Sequence, residues 1–263
     1  MDEHQPPHGE PAVALRSVTV GFGANGRAPV RVLTGLSLVV GRGQLVALVG
    51  ASGCGKTTVL DLVAGLVGPS SGEAAVLGEP PRVGRRDVGY MFARDALLPW
   101  RTARQNVELG LEVQGWGRRA RRDLAERLLG RVDLSSVLDR YPSELSQGMR
   151  QRVALARTLA TDPAVLLMDE PFAALDAQTR ASVRSVFLDI WGDELDRKTV
   201  LFVTHDLAEA LLVADRVVVI AGGRVQVDIE VPWSRPRHER SLFRRPDYSA
   251  LYDTLHAHLR PGT

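Results

Sequence analysis

Cysteine is almost absent from this chain: Cys54 stands alone among 263 residues. No internal disulfide can form, and a lone thiol suits a reducing compartment. Lysine is nearly missing as well, with only Lys56 and Lys198 against 33 basic residues in all. Positive charge is therefore carried by arginine. Aromatic residues make up 5% of the chain, too few to interleave with the arginines as stacking platforms for nucleic acid. No apolar run approaches the ~20 residues needed to span a bilayer, and no signal peptide precedes the first expected strand, so a cytoplasmic location is expected. Formal charge is only +2, and the 44% apolar content supports one large domain, or one with a subdomain.

The single cysteine and one of the lysines share a short stretch, Gly50-Ala51-Ser52-Gly53-Cys54-Gly55-Lys56-Thr57-Thr58. It fills the pattern GxxxxGK[ST] at each fixed position. Leu45 to Val49 before it reads as a buried strand, while Val59, Leu62, Val63 and Leu66 after it recur at helical spacing. Strand, glycine-rich loop and helix are the context a phosphate-binding loop requires. Glycines let the backbone curl so that N–H groups face an anion, with Gly50, Ser52, Gly53, Cys54, Gly55 and Thr58 forming the cradle. Lys56 can reach terminal phosphates, and Thr57 can offer its hydroxyl to magnesium. The alternative is a glycine-rich turn with a chance Lys, a rare event in a chain with two lysines.

Ala164 to Met168 reads as another buried strand and ends in Asp169-Glu170. Ligands of an open parallel sheet lie beyond the carboxyl ends of its strands, which places both carboxylates beside the phosphates. Asp169 is expected to hold magnesium and Glu170 to orient or deprotonate an attacking water. A third run, Thr199 to Val203, leads into Thr204-His205-Asp206. His205 at that strand end is expected to contact the terminal phosphate or the water. The run Leu145-Ser146-Gln147-Gly148-Met149 opens a further helix. Taken alone, Ser146 is an ordinary N-cap. Beside a phosphate loop, Ser146 and Gly148 become donors to a nucleotide held by a second copy of the chain.

The order of these motifs resembles the nucleotide-binding subunits of ABC transporters, over about Val13 to Val227. The resemblance implies an α/β P-loop NTPase fold of the ABC ATPase type: a mainly parallel sheet core, an antiparallel β subdomain and an inserted helical subdomain. The loop at 50–58 looks like Walker A, 165–170 like Walker B, and 145–149 like the family signature. Ala173-Ala174-Leu175-Asp176 resembles the D-loop, which adds Asp176 to the nucleotide contacts, and His205 falls at the family's switch histidine. Phe22 matches an aromatic residue that stacks on adenine, though beside glycines it equally reads as core. ATP and Mg2+ are the implied ligands. The implied partners are a second copy, transmembrane permease subunits and, indirectly, an extracytoplasmic solute-binding protein, with no nucleic acid. This puts the chain on the inner face of the cell membrane.

One position departs from the family. A Gln usually follows an apolar strand between Walker A and the signature, where it meets magnesium and the attacking water, and here Ala93 stands in its place. Either Arg94 or Asp95 compensates, or Glu170 and His205 carry the chemistry with weaker metal coordination; hydrolysis is still expected. Leu97-Leu98-Pro99-Trp100-Arg101 resembles a segment of nitrate, sulfonate and taurine importer ATPases. Physically it is an apolar, aromatic loop that marks a partner site or packs on the helices after it. Val231-Pro232-Trp233-Ser234-Arg235-Pro236-Arg237 resembles the run that ends such ATPases. Arg118, Arg119, Arg121, Arg122, Arg127 and Arg131 interleave with Asp123 and Glu126 and read as a solvated helix face.

Residues 1–11 are expected to be disordered, 12–228 to form the ATPase domain with its helical subdomain at about 94–155, and 229–263 to form a tail with a terminal helix. The expected function is an ATP-hydrolysing subunit that energises import of a small anion or organosulfur solute such as nitrate, sulfonate or taurine. Two alternatives stand: a soluble ABC ATPase acting on nucleic acid or the ribosome, and a low-turnover regulatory nucleotide-binding protein. The first usually needs fused ATPase domains or a long coiled-coil insertion; Ala93 keeps the second open.

Overall fold

The computed structural model describes residues 10–23, 30–191 and 198–259. The N-terminal stretch expected to be disordered lies almost wholly outside them. Two compact units result: Met1–Arg85 joined by Arg197–Thr263, and Arg86–Asp196.

The first unit begins with an antiparallel sheet. β1 (Val13–Phe22) pairs on one side with β2 (Val30–Val40), and on the other with β4 (Ser71–Val76). Its alternating burial gives one core face and one wet face, as expected of an antiparallel strand. Between β2 and β4 lie β3 (Leu45–Val49) and α1 (Lys56–Val63), on which Val59, Leu60, Leu62 and Val63 are buried.

The second unit pairs β5 (Val88–Met91) in parallel with β6 (Val165–Asp169), and carries α2 (Ala103–Val113), α3 (Arg118–Arg131), α4 (Gln147–Ala160) and α5 (Ala177–Ile190). A capping box starts α2: Thr102 Oγ1 accepts from Gln105 N–H, and Gln105 Oε1 accepts from Thr102 N–H. The buried stripe of α3 is Ala125, Leu129 and Val132, with Leu124 and Leu128 half-buried at its margin. The arginines nearby are laced to carboxylates rather than simply solvated. Arg104 meets Glu126 at 2.9 Å, Arg121 meets Glu108 at 3.1 Å, and Arg122 meets Glu126 at 2.8 Å. On α5, Val183, Phe187 and Ile190 are buried, as is Trp191 just after it.

The chain then returns to the first unit with β7 (Thr199–Thr204), α6 (Leu207–Val213), β8 (Arg216–Ala221) and β9 (Arg224–Glu230). β3 lies between β7 and β8, parallel to both, while β9 runs antiparallel to β8. Every residue of β3 and β7 is buried, the continuous apolar pattern of parallel strands covered on both faces. The tail closes with α7 (Glu239–Leu242) and α8 (Pro246–Ala257). Buried Arg237 fastens it, donating to the carbonyls of Trp233, Leu211 and Ala214.

Candidate functional site

In the first unit, Val49 of β3 is level with Thr204 of β7. The loop at 50–55 and His205 therefore leave the carboxyl ends of two neighbouring parallel strands. A Cβ on Gly50 would fall 2.3 Å from the Ile220 carbonyl oxygen, so only glycine fits against β8 there. Gly53 (φ +79°) turns through the left-handed region with open space around it, so its backbone is uncovered. No side chain caps the start of α1, and unspent N–H groups at a helix start favour an anion. Lys56 is only 5% exposed. Its ammonium donates to the carbonyls of Gly50 (2.8 Å) and Ala51 (3.0 Å), and among the described residues it has no carboxylate partner. Burying a charge without a counter-ion is costly, so a polyanion fits this cradle.

Around this cradle Ser52 and Thr57 are exposed, and Cys54 and Thr58 half-buried. Phe22, at the end of β1, is 48% exposed and so is not a core residue. His205 is exposed immediately before α6. The cap of α6 is Asp206, which accepts from the N–H groups of Ala208 and Glu209.

In the second unit, β6 is buried through Asp169 at its end. Glu170 follows at φ +43°, a left-handed conformation that costs a non-glycine residue about 1–2 kcal/mol. Such strain persists where surrounding structure overdetermines it, commonly at functional positions. Ser146 is the N-cap of α4 and accepts from Met149 N–H at 3.3 Å. Asp176 caps α5, and hydrogen bonds from the Thr179 side chain and the Thr179 and Gln178 N–H groups hold its carboxyl below the usual range. A Cβ on Gly148 would lie 2.3 Å from Thr179 Cγ2, so the first turns of α4 and α5 touch.

Three of these supports carried no sequence signal. Thr179 joins the Asp176 cap to Gly148. Gln151, 5% exposed, donates to the carbonyl of Pro171, one residue past Glu170. Arg150 Nε donates to Asp95 Oδ2 at 2.9 Å. Asp95, the candidate substitute for the missing Gln, is thus already held at both oxygens, the other accepting from Leu97 N–H. Ala93 and Arg94 are exposed. The loop at 97–101 divides: Leu97 is 9% exposed, whereas Trp100 is 70% exposed. Fully buried Asn106 holds that loop, donating to the carbonyls of Leu98 and Arg101 and accepting from Leu98 N–H. Its signal was a polar residue on the buried face of α2.

A family model described as ABC transporter matches residues 33–173. An aliphatic sulfonates import ATP-binding protein of Burkholderia ambifaria is 46% identical over 244 residues, covering 93% of this chain and 70% of the relative. One from Mesorhizobium japonicum is 44% identical over 233 residues, covering 89% and 84%. Among solved structures, a dimeric ATP-binding cassette in a post-hydrolysis state, bound to ADP and Pi, matches with a TM-score of 0.74 and 30% identity, covering 84% of this chain and 100% of the other. The family match runs from β2 past the carboxylates that end β6, and on it this chain belongs to the ABC transporter family, as an ATPase subunit resembling those of sulfonate importers.

Proposed function

We propose that the protein hydrolyses ATP to energise a membrane importer for a small anion or organosulfur solute, with an aliphatic sulfonate as the first candidate. The observation that carries the nucleotide reading is Lys56, a buried cation over a glycine cradle with no carboxylate partner among the described residues. Relatives at 44–46% identity named for sulfonate import support the cargo class.

Lys56 and the N–H groups of residues 50–58 bind the phosphates, and exposed Phe22 stacks on adenine. The Thr57 hydroxyl and the Asp169 carboxylate are hard oxygen donors suited to magnesium. When bound, that ion neutralises charge on the phosphate oxygens. Glu170 takes a proton from the attacking water, and His205 steadies the terminal phosphoryl group. Ser146, Gly148 and Asp176 act on nucleotide held by a second copy, so that two chains close over two ATP molecules. The relative solved as a dimer supports this arrangement. Closure pulls on permease subunits, which receive solute from an extracytoplasmic binding protein. Among the described residues no helix is long and apolar enough to cross a membrane.

The test is co-expression with candidate sulfonate permease and binding-protein genes. The chain should sediment with membranes and show sulfonate-stimulated ATP turnover above a Glu170→Gln control. A chain that never sediments with membranes overturns the importer reading. Turnover no higher than the control favours the low-turnover regulatory reading that Ala93 keeps open. A binding protein that prefers nitrate corrects the cargo alone.

A further inference from the structure

The loop between β5 and α2 is tied to α4 by two arginines on one face of that helix. Arg150 and Arg157 are seven residues apart, two helical turns. Arg157 donates to the carbonyls of Ala96 (2.7 Å) and Asp95 (2.8 Å), pinning a turn in which Ala96 takes φ +47°. Arg150 does more. Its Nε donates to Asp95 Oδ2 at 2.9 Å while its NH1 group donates to the carbonyl of Leu145 at 2.8 Å. One guanidinium thereby joins the loop that carries Ala93 to the residue immediately before Ser146. Both oxygens of Asp95 are engaged, Oδ1 by Leu97 N–H and Oδ2 by Arg150, and the pair is shielded, with side chains 27% and 31% exposed. The same loop presents Phe92 and Trp100 at its surface.

We propose that Arg150, with Asp95, is a positioning residue that holds Ser146 in place from the 92–100 loop. The proposal rests on the ATPase reading above for its effect on turnover, though not for the linkage itself. A guanidinium is a rigid planar fork that holds two acceptors at fixed angles, and an ammonium is not. Lysine at 150 keeps the charge and loses the fork.

Two measurements on the full chain test this. The first is hydrogen exchange in the nucleotide-free monomer. Asp95→Asn and Arg150→Met should each raise exchange in the 145–150 segment about tenfold or more, although Asp95 lies far from it in sequence. Unchanged exchange there in Asp95→Asn overturns the linkage, whether or not the chain hydrolyses ATP. The second is steady-state ATPase activity. Asp95→Asn, Arg150→Met and Arg150→Lys should each lower kcat about tenfold with KM within about twofold, since none of them keeps the charged fork bridging Asp95 and the Leu145 carbonyl. A kcat that stays intact, or a loss seen in KM and not in kcat, overturns the positioning role. Lack of turnover in the unsubstituted chain overturns the proposed function instead, and the exchange result then decides the linkage.

Discussion

Ser146 caps α4 through a bond of 3.3 Å to Met149 N–H, and a hydroxyl that accepts one bond still has a proton to donate. Capping and phosphate contact are therefore compatible uses of one side chain. Ser146→Arg should abolish turnover while nucleotide affinity of the monomer stays within about twofold, as read by ATPase assay and fluorescent-nucleotide titration. Loss of monomer binding would sink the two-chain reading. Glu170→Gln should reduce kcat by roughly 10²–10⁴, the range typical of a lost general base, with ATP still bound. Lys56, Thr57 and Asp169 were legible as candidates because each sits at a fixed offset in a local motif. Thr179 and Arg150 were not, because their partners Gly148 and Asp95 are brought to them by packing.

At the scale of elements, the contact between α4 and α5 depends on a missing side chain. Gly148→Ala puts a methyl group 2.3 Å from Thr179 Cγ2, an overpacking expected to cost about 1–3 kcal/mol, partly offset by the better helix propensity of Ala. Thr179→Ser removes the opposing methyl and should abolish the cost, a double-mutant cycle readable in denaturant midpoints. In the tail, Arg245 and the Trp233 indole N–H hold the Asp247 carboxyl at about 2, below its ordinary 3.8. A depressed carboxyl contributes stability above its unfolded value and loses it as pH falls through the folded one. Asp247→Asn should therefore lower Tm at neutral pH, and the gap should close between about pH 4 and pH 2. A gap that persists at pH 2 would assign the effect to packing. The buried strands β3, β6 and β7 were legible because continuous apolar runs admit few other arrangements. On α3 helical spacing alone does not separate the buried Leu129 from Leu124 and Leu128 at the margin, because each lies on the same apolar side of the helix.

For the whole molecule, the decisive prediction is assembly. With Glu170→Gln to block turnover, ATP should shift the chain to a dimer in sedimentation velocity and ADP should leave it monomeric. A dimer equally stable with either nucleotide would separate assembly from the ATP cycle. The exposed side chain of Trp100 should matter only in the membrane complex: Trp100→Ala should weaken membrane sedimentation with the permease and leave ATPase activity of the isolated chain within about twofold. The amino-acid sequence by itself determined the family, the fold class and the buried runs that became β3, β6 and β7, because these follow from short-range spacing and hydrophobic period. Only the tertiary structure decided that Asp95 pairs with Arg150, that Phe22 lies outside the core, and that Thr179 serves both Asp176 and Gly148. Such pairings join residues distant along the chain, and no local period encodes which donor meets which acceptor.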